Sequence, residues 1–403
     1  MIHRNTKNIF WYVLFTISIV SFASFSSAKM YNIMSELQVA ENVEALRYTK
    51  LFVPLFILAI LLSIRYLKLK EQIGNSLLVL CLYNCIVTVI NADILGLKDS
   101  IIISHLGLLL IPPLAYYTFK IYLNRLNIGY IEFMIAVMTI FMMVHYFVIN
   151  NYVNIEKELG MSLNVSYLPL ISLSALLFSK NKYIRILCLF LMFLLVIDSG
   201  KRAGLVGLGL GLLFLLLKPL PNLKIKRSKL ITGVFMIIIL LCIFIPHISL
   251  LDERVFLSFV DNGGDDVSSG RFGIFATTFS MFYNSDFLNM LFGHGFDTVV
   301  INSPLHRSAH SDFIEILYDF GVVGFFLYIR LHTALINRIM IMYKNKNENY
   351  YSAVITYSLF LALSLFSHLY IYPYFYLMTM VFSFYNIPFI TSSLRKSFNI
   401  LVK

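Results

Sequence analysis

Charge is scarce in this chain: 13% of residues are charged, 59% are hydrophobic and the mean hydropathy is +0.80. Soluble domains carry about 25% charged and 45–50% apolar residues, so the shortage excludes an ordinary soluble enzyme and points to a polytopic membrane protein. Cysteine is equally sparse. Cys81, Cys85, Cys188 and Cys242 all fall inside apolar runs, and Cys81 and Cys85 share a helix face, which argues against a disulfide framework and against zinc. Although acids are outnumbered and the formal charge is +11, no basic stripe interleaved with exposed aromatics is present, so no nucleic-acid partner is expected. No repeat of fixed period occurs, and no matched pair of Gly/Pro-broken runs marks an inverted-repeat transporter. The acidic run Asp261–Asp266 lacks the alternating ligands and terminal Glu of a calcium loop, so no metal site is expected.

What the chain has instead is apolar runs of about 20 residues, the length that crosses a ~30 Å hydrocarbon core. They predict an all-α polytopic membrane protein with about 12 transmembrane helices, near 9–28, 48–67, 76–95, 100–120, 129–149, 163–179, 183–198, 203–217, 230–250, 312–336, 350–368 and 372–391. Residues 1–250 then hold spans one to nine, 251–311 one large loop, and 312–403 spans ten to twelve, together one integral membrane domain. With the N-terminus inside, only Lys29, Arg47, Lys50, Lys98, Lys157, Lys201, Arg202, Arg254, Arg271 and Arg307 of the 32 basic residues face outward. The positive-inside bias therefore makes both termini cytoplasmic and the long loop extracytoplasmic. The first run, with Arg4, Lys7 and Ser26-Ser27-Ala28, also has the form of a signal peptide; we read it as an uncleaved anchor. Pro112-Pro113 and Pro169 are expected to break or kink their helices.

Polar residues that could do chemistry concentrate around the long loop. The short turn Ser199-Gly200-Lys201-Arg202-Ala203-Gly204 carries two basic residues against the charge trend, and a guanidinium there suits a bidentate contact with phosphate. Gly204, Gly207, Gly209 and Gly211 make a small-residue face for close helix packing. Ser269-Gly270-Arg271 follows the acidic run, and Gly293-His294-Gly295-Phe296 marks a turn in which His294 reads as structural. At the tenth span's entry, His310 is placed to accept a proton from a hydroxyl. Asp312, Glu315 and Asp319 follow at helical spacing, on one face near the outer surface. Asp312 and Glu315 also have the form of a capping box, whereas a carboxylate as deep as Asp319 needs a partner or a wet cleft. Arg254, His306 and Arg307 either bind substrate or pair with nearby acids such as Asp252 and Glu253.

The order of these motifs, with His310 followed by Gly321-x-x-Gly324, resembles the O-antigen ligase/polymerase superfamily of bacterial inner membranes over roughly residues 183–336. The resemblance implies a periplasmic, inverting, metal-independent glycosyltransferase without cofactor, acting on glycans linked to undecaprenyl pyrophosphate. It maps the catalytic set onto Arg202, Arg271 and His310. Lys201, Arg254, Arg307, Glu315 and Asp319 join as substrate-binding candidates, with Glu315 or Asp319 orienting or replacing His310. Membrane lipid and a chain-length regulator protein are the further expected partners. The motifs look closer to the polymerases, which extend the chain on the next lipid-linked repeat unit, than to the ligases, which move finished polymer onto lipid A–core. A lipid-linked glycan flippase is the alternative of a different class. Sugar identity, linkage and oligomeric state are not legible from these residues.

Overall fold

A computed structural model describes residues 9–23, 53–64, 71–92, 99–156, 164–199, 201–217, 271–304, 308–370 and 373–386. The expected ninth span at 230–250, the loop residues 251–270 and the Ser26-Ser27-Ala28 site lie outside them.

Among the described residues the chain is all helical, with no strand. In chain order the helices are α1 (Ile9–Ala23), α2 (53–61), α3 (Gln72–Ala92), α4 (Asp99–Arg125), α5 (Ile128–Glu156), α6 (Tyr167–Leu176), α7 (Lys182–Asp198) and α8 (Arg202–Leu217). After the long loop come α9 (Arg271–Tyr283), α10 (Phe287–Phe292), α11 (Thr298–Asn302), α12 (Asp312–Lys344), α13 (Asn349–Phe366) and α14 (Pro373–Ser383). The reason is that backbone polar groups in hydrocarbon must be satisfied within the segment, and a helix does this along its own length. Four stretches, Gln72–Ala92, His105–Arg125, Ile128–Val148 and Asn349–Phe366, are long and apolar enough to cross a membrane unaided. Their outward residues, such as Ile86, Ile90, Phe133 and Ile140, are large, apolar and exposed, as a lipid-facing surface requires.

Three local features differ from expectation. α6 has ten residues, all of them buried. At 1.5 Å per residue it is about 15 Å long and cannot span a membrane alone; it is a central core helix. Its Pro169 sits in the first turn, where a missing N–H costs nothing. α4 continues through Pro112 and Pro113 without interruption. The marked break falls instead in α12, where Gly321 takes φ 66° and ψ −172° and separates Asp312–Phe320 from the longer helical stretch that follows.

α8 and α13 pack as an antiparallel pair. A Cβ added to Gly207 would lie 2.8 Å from Leu359 Cα, and one on Gly211 would lie 3.1 Å from Ile355 Cα, so these glycines let the two backbones approach closely. Gly204 faces Val196 and Leu170, whereas Gly209 faces open space. The expected packing face therefore consists of Gly204, Gly207 and Gly211, and Gly209 is not part of it.

Candidate active site

The register of α8 against α13 decides where Arg202 lies. Moving five residues back from Gly207 along α8 covers about 7.5 Å, and the antiparallel partner of that displacement is five residues beyond Leu359. Arg202, the half-buried first residue of α8, is thus level with Ser364 near the end of α13. The Ser364 carbonyl accepts a hydrogen bond from Ser311 Oγ at 3.4 Å, and Ser364 Oγ is 2.9 Å from Tyr328 Oη. Since Ser311 is the N-cap of α12, Arg202 and His310 belong to the same end of the bundle, gathered around the end of α13. Beside Arg202, the Lys201 ammonium lies over the Tyr167 ring, 5.6 Å from its centroid.

His310 is half-buried and adopts φ 53°, a left-handed backbone, between two buried residues, Ala309 and Ser311. A non-glycine residue in this region is held there by its surroundings. Of the three carboxylates of α12, Glu315 binds this turn directly and the other two bind neighbouring segments. Asp312 Oδ1 accepts from the Leu369 and Tyr370 amides at 2.8 and 3.0 Å, and Oδ2 accepts from Tyr328 Oη at 3.1 Å. Glu315 Oε2 accepts from the Ala309 amide at 3.1 Å and lies 3.5 Å from His368 Nδ1. Asp319 Oδ1 accepts from Thr298 Oγ1 and the Val299 amide at 2.7 and 2.9 Å, and Oδ2 from the Asp297 amide at 3.0 Å. All three carboxylates are at most 1% exposed.

These bonds revise the expected acidic face. The capping box does not form: Ser311 is the N-cap, and Glu315 reaches past it to Ala309. None of the three carboxylates lines the outer surface. Asp319 does the work of an N-cap for α11, supplying the acceptors that the first amides of a helix lack. Burying a carboxyl group is costly, and the hydrogen bonds these groups accept from amides and hydroxyls offset part of that cost.

The Gly-His-Gly-Phe turn and the Gly-x-x-Gly pattern prove to be two halves of one joint. Gly293 (φ 90°) lies against the break at Gly321 so closely that a Cβ on Gly293 would strike the Asp319 carbonyl and Phe320 Cα, and one on Gly321 would strike the Leu291 carbonyl. The Gly295 amide donates to the Asp319 carbonyl at 2.8 Å. His294 stacks on Tyr318 with centroids 4.3 Å apart, and its Nδ1 donates to the Tyr318 carbonyl at 3.1 Å, contacts of the kind a structural histidine makes. From α3, Tyr83 Oη shares its proton between the Phe292 and Phe320 carbonyls at 3.0 and 3.1 Å, while Thr88 Oγ1 accepts from the Phe296 amide at 3.2 Å.

Of the other expected site residues, Arg271 opens α9, with its side chain outside what is described, and Arg254, His306 and Arg307 lie outside the described residues. Among the described residues no group of three His, Cys, Asp or Glu is arranged to hold a metal ion. Sequence reasoning missed His368 and the α3 contacts. His368 carries no motif. Asn84, Thr88 and Asn91, in contrast, form a polar stripe at helical spacing within an apolar run, a pattern that marks a helix face with internal partners.

The motif order and the shared end of α8 and α12 have a counterpart among known families. Residues 187–329 match the O-antigen ligase family. The matched stretch begins within α7 and ends within α12, so it takes in the Lys201-Arg202 turn, the Gly293–Gly321 joint and His310. This part of the chain is therefore similar to O-antigen ligase-family domains, and four stretches among the described residues are long and apolar enough to cross a membrane. No curated protein matches the chain.

Proposed function

We propose that this protein is an O-antigen polymerase in a bacterial inner membrane, transferring the growing glycan from undecaprenyl pyrophosphate to the next lipid-linked repeat unit. The observation that carries this reading is the convergence of Arg202 and the His310 turn at one end of the bundle, around the end of α13. In the proposed reaction an acceptor sugar hydroxyl gives its proton to His310 and attacks the anomeric carbon. The bond from that carbon to the pyrophosphate oxygen breaks, and the lipid pyrophosphate leaves with the bonding electrons. Arg202 and Arg271 face the negative charge that gathers on the leaving group. A single displacement from the opposite face inverts the anomeric configuration. The site faces the periplasm, Lys201, Arg254 and Arg307 hold substrate, and both termini are cytoplasmic.

A second reading, transfer of finished polymer onto lipid A–core, is favoured by the matched family's description as O-antigen ligase. Deleting the gene and resolving the glycolipid ladder separates the two. A single repeat unit on core is expected for polymerase loss; bare core with accumulated lipid-linked polymer would instead establish the ligase.

A further inference from the structure

Glu315 Oε2 accepts the hydrogen bond of the Ala309 amide, the residue directly before His310. The same oxygen lies 3.5 Å from Nδ1 of His368, a close polar approach rather than a hydrogen bond, and both side chains are almost completely buried, at 1% and 3% exposure. The other carboxylate oxygen, Oε1, is buried without a hydrogen bond, so the orientation of the group is set on the Oε2 side alone. His368 stands next to Leu369 and Tyr370, whose amides are bound by Asp312 one turn earlier on the same helix. Two carboxylates of α12 thus tie together the segment entering the helix and the segment leaving α13.

From this we infer that the buried Glu315–His368 pair is a positioning device for His310, with Glu315 holding the left-handed turn through the Ala309 amide and His368 fixing Glu315 from behind. Neither residue meets the sugar or the pyrophosphate. This differs from a substrate-binding or substitute-base role for Glu315, because its acceptor oxygen is spent on the backbone and on a buried imidazole. The inference rests on the proposed function only in taking His310 as the group that must be placed. Elementary catalysis says why placement matters: a displacement of about 1 Å in a reacting group can cost on the order of 100-fold in rate.

The test pairs turnover with local amide exchange in the purified full-length protein, using a synthetic polyprenyl-pyrophosphate-linked oligosaccharide as substrate. Glu315→Ala is expected to lower kcat at least about tenfold with KM within about twofold, and to raise exchange in the peptide covering 308–311 while the rest of the bundle keeps its protection. Glu315→Gln retains an acceptor oxygen and is expected to restore kcat to within about threefold, with native exchange at that turn. His368→Ala should fall between the two in both readouts. If Glu315→Ala does not fold, Glu315→Asp takes its place with the same expectation, since it draws the oxygen back by one methylene. Native kcat and native exchange in Glu315→Ala would overturn the inference, and so would a Gln variant as impaired as the Ala variant. If the wild type forms no glycosidic bond, the proposed function fails, and the exchange pattern still decides whether Glu315 holds the turn.

Discussion

The Gly293–Gly321 joint and the His310 turn are close in the chain and both belong to recognisable motifs, yet they are built in opposite ways. At the joint, backbone crosses backbone with no room for a Cβ, and α3, α10 and α12 all contribute to the crossing. At the turn a half-buried histidine follows a residue whose amide is held by a buried carboxylate, beside a second carboxylate that binds the segment after α13. The first arrangement leaves no room for a side chain; the second holds a half-buried histidine on a buried base. Motifs of equal prominence in the sequence are therefore built differently, one as a scaffold joint and the other around the proposed general base, and only the contacts tell them apart.

The largest effect that would sharpen this contrast is at the joint. Gly321→Ala and Gly293→Ala each force a side chain onto neighbouring backbone at positive φ, a combination expected to cost about 3 kcal/mol or more. The yield of monodisperse protein in detergent should collapse for both, and native yield from either would break the contrast. Next, His310→Ala is expected to lose about 100-fold or more in kcat, the scale of a general base, with an unchanged thermal midpoint. Arg202→Lys should fail to rescue the activity lost in Arg202→Ala, because an ammonium cannot reproduce a bidentate phosphate contact. Asp319→Asn should lower stability by about 1–3 kcal/mol through the Asp297 amide left without its acceptor, and kcat per folded molecule should remain native. The smallest effect separates neighbours on α8: Gly209→Ala faces open space and should be neutral or stabilising by up to about 1 kcal/mol, whereas Gly207→Ala should push α13 away and destabilise.

Much of this division was legible in the residues themselves. Apolar run length anticipated helices over the windows that the described residues cover, and the Gly-His-Gly-Phe pattern anticipated the turn in which His294 stacks on Tyr318. Spacing alone could not reveal what Asp312, Glu315 and Asp319 bind. Their partners, at 369–370, 309 and 297–299, are brought together by tertiary packing, and a helical face looks the same whether it meets solvent or another segment. The break in α12 was hidden for a related reason. Gly321 within a Gly-x-x-Gly pattern is compatible with an intact helix, and it is the crossing turn at Gly293 that demands a positive φ. The shortness of α6 was masked because an apolar run reads alike in a buried core and in lipid.

The most direct test compares His310→Ala with Asp319→Asn in one assay: turnover of a polyprenyl-pyrophosphate-linked oligosaccharide by purified protein, normalised to the folded fraction. The division of labour proposed here predicts that His310→Ala is folded and almost inactive, while Asp319→Asn is less stable yet turns over at the native rate per folded molecule. Near-native turnover by folded His310→Ala would contradict it.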